Sequence, residues 1–390
     1  METLRIAILT ETLPAAELTL QPWRYLGNLA QALQGEGHEA IVLTSELGPK
    51  VWNGIPVKRH GTRGDFRVAS GLRHIVHSAG ADAGLFRLTA TLFFSMRHRD
   101  TDSPRAARLA GVFLRPLHDG RGLARRFVDP TMAPEIRLDV HHAGLYLSRI
   151  LGTWPDAPSQ VDGFFFLWES DRRVAVAAGL PAGSCAVARH PFDSFFLDRK
   201  PPSLGPRLAG VLGTPARRIV FAGPLEASRG VPDVLRLARF LPNDPPTQVV
   251  LLLRDSAYAE PEVSVTRSGP HTTLSIRGFL SQEEIRSIYR TSDVAVFPYR
   301  FVRTGLPLVV IEAAAAGLPV ITTRVHPIRE LEGNTGLVFV EPRNPRGIGE
   351  AVRWILDARG RAEIEPKNRK WIESTPDWKH VARTFVSVLQ

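Results

Sequence analysis

The chain has 390 residues, 44% of them apolar, enough for two hydrophobic cores and too many for a disordered protein. Its one cysteine, Cys185, excludes an internal disulfide and a cysteine zinc cluster. The net charge of +10 is concentrated from Arg59 to Arg126, where 13 Lys or Arg stand against 5 Asp or Glu beside Phe86, Leu92, Phe93 and Phe94, which fits an anionic partner (phosphorylated substrate, acidic membrane face or nucleic acid) and equally a solvated basic face.

Arg5 follows Met1 closely and the apolar run Ile6 to Thr10 is only a strand's length, so no secretory leader is expected and a reducing cytoplasm is the expected setting. Arg5 to Thr10 reads as the first strand. After a loop holding Pro14 and Pro22, a helical pattern runs from Trp23 to about Gly35, and Ala40 to Thr44 is a second strand. Val51 to Arg59 reads as a short hairpin around Asn53-Gly54. The stretch from Gly71 to Arg99 fits helix and strand alike. Gly111 to Leu117 and Val161 to Leu167 read as strands, and a helix follows from Glu169 to Gly179.

Pro201, Pro202, Pro206 and Pro215 mark a linker, after which the same alternation restarts. Strands are expected at Arg218 to Ala222, Gln248 to Leu253, Leu274 to Arg277, Asp293 to Pro298, Leu318 to Thr322 and Gly336 to Val340. Helices are expected at Gly230 to Leu241, Gln282 to Arg290, Pro307 to Gly317 and Pro345 to about Ala358. Strands alternating with helices imply parallel sheets covered on both faces. The expected architecture is α/β, with residues 1–200 and 201–375 as two domains facing each other across a cleft where the strands' carboxyl ends meet a ligand.

Within Thr304 to Thr323, TGLPLVVIEAAAAGLPVITT, a single carboxylate, Glu312, interrupts an almost wholly apolar run. A charge in such surroundings is kept where it is paired or has hydrogen-bonding work, since uncompensated burial costs several kcal/mol. The Gly305-Leu306-Pro307 turn is the start of its helix, with Pro307 near the first helical position, and the outward helix end offers amides and partial positive charge to an anion. The apolar part of the run, Leu306 to Ile321, is shorter than the roughly 20 residues a membrane-spanning helix needs and carries Glu312 near its middle. Neither first βα turn holds a G-x-G-x-x-G and no P-loop occurs, so a dinucleotide cofactor is not expected. Instead Gly223 to Gly230, GPLEASRG, places Arg229 at the start of a helix, where it and the helix end near Pro307 make a two-sided clamp for a diphosphate.

With these residues in view the chain resembles a GT-B glycosyltransferase of two Rossmann-like domains, most similar to the retaining family 4. FAGPLEASRGVPDVL, SIRGFLSQEEIRSIYRTSDVAVFPY and TGLPLVVIEAAAAGLPVITT carry the match in the second half, in the family's order. RIAILTETLP, FLRPLHD and VDGFFFLWESDRRVAVAAGLPAGSCAVARHPFD carry it more loosely in the first. The resemblance implies transfer of a sugar from a nucleotide-sugar donor to an acceptor hydroxyl, without a metal or other cofactor. It assigns Glu312 to the ribose, Arg229 to the diphosphate, and His118 to the donor sugar from the opposite domain. Thr304, Gly305, Leu306, Pro307 and Leu308 would line the phosphate and sugar, and Gly278 and Phe279 the base. His190 stands at the hinge-side position where relatives often have asparagine; it joins the donor-binding set, but packing is its favoured reading. The helix from Trp378 to Gln390 would return to pack on the first domain.

Three positions depart from the family pattern. Thr304 stands where a second glutamate is usual, Pro224 where an arginine follows the first donor-domain strand, and Ala15 to Pro22 lacks paired glycines. These departures admit a second reading, a sugar-nucleotide-binding partner subunit of the same fold with little or no transferase activity, and a third is a sugar-nucleotide epimerase. The basic, aromatic-bearing segment suggests a lipid-linked or glycan acceptor and peripheral contact with the inner face of an acidic membrane. Nucleic acid is not expected as a partner, because no helix-turn-helix, zinc-finger or RNP-like pattern accompanies the charge. The pair His141 and His142 lacks a third ligand at a suitable spacing for a metal.

Overall fold

The computed structural model describes residues 3–13, 23–46, 48–88, 107–117, 161–177, 179–198, 200, 203–212, 217–255, 257–258, 260–303, 305 and 307–390. They form two compact units, one running to Pro191 and including Pro376–Gln390, the other Phe192–Thr375. Both are α/β and Rossmann-like, as the alternation of strands and helices predicts.

The first unit holds β1 (Arg5–Thr10), β2 (Glu39–Thr44), β3 (Val51–Trp52), β4 (Ile55–Arg59), β5 (Ala83–Arg87), β6 (Arg108–Phe113), β7 (Gly163–Phe166) and β8 (Cys185–Val187). Their order is β3-β4-β2-β1-β5-β6-β7-β8, with only β3 and β4 antiparallel. That hairpin turns at Asn53 (φ 51°) and Gly54 (φ 79°), the pair of positive φ angles a two-residue turn needs. Alternation along β7 sends successive rings to opposite faces: Phe166 stacks on Phe113 at 4.8 Å, while Phe165 meets Phe385 at 3.7 Å. Phe385 belongs to the Trp378–Leu389 helix, which is thus the cover of that face; Arg383 adds an ion pair to Glu36 at 2.5 Å.

The second unit holds β9 (Arg217–Gly223), β10 (Thr247–Leu253), β11 (Glu262–Ser268), β12 (His271–Arg277), β13 (Val294–Phe297), β14 (Val320–Thr323) and β15 (Val338–Val340). The order is β11-β12-β10-β9-β13-β14-β15, with β11 alone antiparallel. Every residue of β10, β13 and β14 is buried, which is why these strands read as continuous apolar runs. The unit starts at Phe192, ahead of the proline-rich stretch. Arg286 and Arg290, on the Gln282–Arg290 helix, donate to the carbonyls of Phe195 (3.2 Å) and Asp198 (3.1 Å), and Phe192 packs edge-on against Trp371.

Several elements differ from the sequence reading. The strand expected at Gly111 to Leu117 is β6, which begins three residues earlier and ends at Phe113. Past Pro116, which has no N–H, the Leu117 amide donates to Asp171 Oδ1 at 3.0 Å instead of to a strand. The helix expected from Gly230 to Leu241 is a short helix, Val231–Leu235, between 3₁₀ turns at Ala227–Arg229 and Leu237–Phe240. Val231, Asp233 and Val234 are the buried residues of the short helix, and Leu237 is that of the 3₁₀ turn after it. Pro307 is the residue before the Leu308–Ala315 helix and not its first turn. Within the ambiguous stretch, Ala69–Ser78 is helix and Ala83–Arg87 strand. Strands β8 and β11 and the Ala358–Ser374 helix have no counterpart in the sequence reading. The first is three residues long, the second is an exposed edge, and the helix carries Pro366 in its interior.

Candidate functional site

Among the parallel strands of the second sheet, chain order runs outward in both directions from β9 and β13, so the switch point lies between these two neighbours. Open α/β sheets bind ligands beside the carboxyl ends of the strands at such a point. Two loops leave there, residues 224–230 after β9 and residues 298–307 after β13.

The loops are locked together by backbone contacts. Arg300 and Phe301 both donate their amides to the Ser228 carbonyl, at 2.8 and 3.1 Å. Gly230 takes φ 79°, and a Cβ there would lie 1.8 Å from the Pro298 carbonyl oxygen, so only glycine permits this approach. Beneath them Arg300 Nε and Nη2 donate to the two Asp233 carboxylate oxygens at 2.9 and 2.8 Å, with both side chains almost completely buried. Thr322 and Thr323, at the end of β14, donate their hydroxyls to the Phe297 and Tyr299 carbonyls.

On this base sits a compact charged cluster. Arg229 Nη1 donates to the Tyr299 hydroxyl at 3.1 Å, and its guanidinium lies 5.3 Å from the centre of that ring. Arg229 Nε is 3.7 Å from one oxygen of Glu226, and Arg303 Nη1 is 3.2 Å from the other. Glu312, 7% exposed, lies in the Leu308–Ala315 helix. Burial raises the Tyr299 phenol above its usual range; Arg229 opposes the shift, while Glu312 and Glu226 add to it. Tyr299 therefore feels Arg229, Glu312 and Glu226 together. Tyr289, fully buried and held well above its usual range chiefly by burial, feels Glu312 as well. The helix N-cap is Pro307, whose side chain accepts no hydrogen bond, and the first amides of a helix lack intrahelical partners.

Gly278 and Phe279 follow β12, whose carboxyl end points the same way as those of β10, β9 and β13. Gly278 has φ 121°, and Phe279 is 48% exposed, an open aromatic surface on this edge of the sheet.

Arg229 and Glu312, proposed from sequence, both act on one phenol, Arg229 by a direct hydrogen bond and Glu312 through its charge. Gly305, Pro307 and Leu308 are described beside them, at and before the helix start; His118, Thr304 and Leu306 lie outside the described residues, as do His141 and His142. His190 is placed as its packing reading expects. It is 2% exposed in the first unit, its ring packed against Tyr25 (5.8 Å) and Trp378 (5.0 Å), and its Nδ1 donates to the Pro191 carbonyl at 2.7 Å. A ring enclosed in this way fits a packing role. Tyr299, Glu226 and Arg303 were missed, as was the Asp233–Arg300 pair. Their one sequence signal is the density of charge immediately after β9 and β13.

Residues 216–358 match the family described as Glycosyl transferases group 1. A glycogen synthase from Mycobacterium tuberculosis is 28% identical over 176 residues, 44% of this chain and 41% of that protein, so the chain spans about two-fifths of that relative's length. A glycosyltransferase from Rickettsia africae superposes with a TM-score of 0.66 at 12% identity, covering 100% of this chain and 98% of the other. A trehalose-6-phosphate structure from Escherichia coli, bound with UDP-2-fluoro glucose, gives 0.67 at 13% identity over 99% and 98%. All the residues of the Arg229–Tyr299–Glu312 cluster fall inside the matched segment: residues 216–358 are a group 1 glycosyl transferase domain, carried on the fold of the GT-B glycosyltransferases.

Proposed function

We propose that the protein is a retaining glycosyltransferase that moves a sugar from a nucleoside diphosphate to an acceptor hydroxyl. The observation that carries this reading is the Arg229 hydrogen bond to Tyr299 at the switch point of the second sheet, supported by a buried Glu312 whose charge is felt by the same phenol. Glu312 accepts hydrogen bonds from the ribose hydroxyls. Arg229 and the amides at the start of the Leu308–Ala315 helix receive the diphosphate, and Phe279 covers the base. As the bond from the anomeric carbon to the diphosphate oxygen breaks, negative charge grows on that oxygen beside a fixed cation. The acceptor oxygen forms its new bond on the same face, and its proton passes to the departing diphosphate. His118 contacts the donor sugar. No step calls for a metal.

Glu312 gives the sharpest test. A hydrogen bond to a charged group contributes about 1.5–3 kcal/mol, or roughly 10- to 150-fold in affinity. The unchanged protein is expected to prefer the ribonucleoside diphosphate of its best-bound base to the 2′,3′-dideoxy analogue by such a factor in calorimetric titration. Glu312→Ala is expected to bind the two alike. Equal discrimination by both proteins removes Glu312 from the ribose.

The second reading, a binding subunit without transfer, is favoured by Pro224 and Thr304. It predicts tight donor binding with no product formed from any acceptor offered.

For the acceptor, the proposal is a lipid-linked or glycan hydroxyl presented at an acidic membrane, with the protein cytoplasmic and peripheral. Its support is the basic segment from Arg59 to Arg126. Within its described part, Arg63 and Arg67 are paired with Glu11 and Glu46, which leaves less bare charge than the sequence suggests. No helix among the described residues is long and apolar enough to cross a membrane. Flotation with vesicles of acidic phospholipid at low salt is expected to carry the protein upward and neutral vesicles to leave it behind. Failure to float with either ends this part of the reading.

A further inference from the structure

We infer that Arg303 is a second diphosphate-binding cation, supplied from the loop after β13, and that Glu226 holds its place until the anion arrives. The inference rests on the donor-binding reading above and extends it to two residues outside the family pattern carried by the sequence.

The loop after β9 has lost one cation, since Pro224 follows Gly223 where an arginine is usual in the family this chain resembles. A lone Arg229 is a weak match for a group bearing two or three negative charges. The structure brings Arg303 to the same place from the other loop: one Glu226 oxygen is 3.7 Å from Arg229 Nε, and the other is 3.2 Å from Arg303 Nη1. One carboxylate thus lies between two guanidinium groups that come from positions more than 70 residues apart in the chain. The three side chains are 19%, 18% and 29% exposed for Arg229, Arg303 and Glu226, open enough to meet a ligand and enclosed enough for charge to be felt.

The backbone fixes this meeting. The Arg300 and Phe301 amides are bound to the Ser228 carbonyl, so the residues just before Arg303 are held to those just before Arg229. A phosphate oxygen presents the same acceptor chemistry to a guanidinium as a carboxylate oxygen does, with more charge. A diphosphate entering between the two arginines therefore displaces Glu226, which swings toward solvent. Glu226 opposes binding: it offers the arginines an internal partner and adds a negative charge beside the incoming one.

The two residues then have opposite signs in one experiment. A panel of UDP, GDP and ADP is titrated calorimetrically into the unchanged full chain; the tightest binder and its parent nucleoside are then titrated into variants. Arg303→Gln is expected to weaken the diphosphate about tenfold or more and to leave the nucleoside unchanged, with Arg303→Lys recovering part of the loss. Glu226→Gln is expected to tighten the diphosphate severalfold, again without effect on the nucleoside. A structural role for either residue would move diphosphate and nucleoside together. If Arg303→Gln binds the diphosphate as the unchanged protein does, or Glu226→Gln weakens it, the assignment is overturned while the donor reading stands. If the unchanged protein binds none of the panel, the donor reading falls and this inference with it. Thermal midpoints within a few degrees of the unchanged protein confirm that the variants are folded, and the Glu226 arm remains decisive if Arg303→Gln is not.

Discussion

Arg229→Gln is expected to lower the turnover number for sugar transfer by about 10²- to 10³-fold, the loss usual when one preorganised donor to a growing negative charge is removed. The side chain is held for this task in the ligand-free protein. Its Nη1 is fixed on the Tyr299 hydroxyl, its plane lies near the Tyr299 ring, and it is 19% exposed, so little reorganisation remains to be done as the diphosphate departs. Ground-state binding engages the same cation, so the donor's KM should rise too, by a smaller factor than turnover falls. Tyr299→Phe removes only the accepted hydrogen bond and keeps the ring; its loss of turnover should be a small fraction of that for Arg229→Gln. Arg229→Lys keeps charge without the planar fork and should fall between the two. Steady-state transfer with the donor chosen by the nucleotide panel decides the matter. A change under threefold in Arg229→Gln means that the diphosphate leaves elsewhere.

The sequence discloses the two residues of this cluster that break a local rule. Glu312 is conspicuous because Val309, Val310, Ile311 and a run of alanines flank it, and Arg229 because a cation at the start of a helix needs an anion. Tyr299, Glu226 and Arg303 break no local rule. A tyrosine after a buried strand is ordinary, and an arginine or glutamate in a loop is ordinary too. Their roles exist only because β9 and β13, far apart in the chain, are neighbours in the sheet. The same distinction governs the fold. Central strands such as Thr247–Leu253 are legible because burial on both faces writes itself into composition, whereas the edge strand Glu262–Ser268 is exposed along nearly all its length and reads like a loop. Proline misleads in two ways: Pro366 hides a helix of 17 residues, and the prolines from 201 to 215 draw the eye past Phe192, where side-chain contacts make the second unit begin. His190 shows the limit of position in a motif. Its place in the chain suits a ligand, but the rings of Tyr25 and Trp378 enclose it.

Asp233→Ala is expected to destabilise the second unit by about 3–5 kcal/mol, the cost of leaving a buried charge without its partner. Asp233 is 1% and Arg300 6% exposed and two parallel hydrogen bonds join them, so the substitution takes both bonds from a guanidinium that has little access to water. Arg300→Met is expected to cost a similar amount by stranding the carboxylate. Changing both, Asp233→Leu with Arg300→Met, should recover most of the loss, because two apolar groups in the same space carry no desolvation penalty. Urea titration of the full chain, fitted with separate transitions for its two units, measures all three. A cost below about 1 kcal/mol for Asp233→Ala would show that the pair is hydrated in solution and does not hold the loops. The double variant also separates stability from positioning. The Arg300 side chain ties the loop after β13 to the helix after β9, and Tyr299 and Arg303 lie one and three residues from it. With stability restored and that tie gone, diphosphate affinity should still fall severalfold, because the two cations are no longer set by the same buried contact.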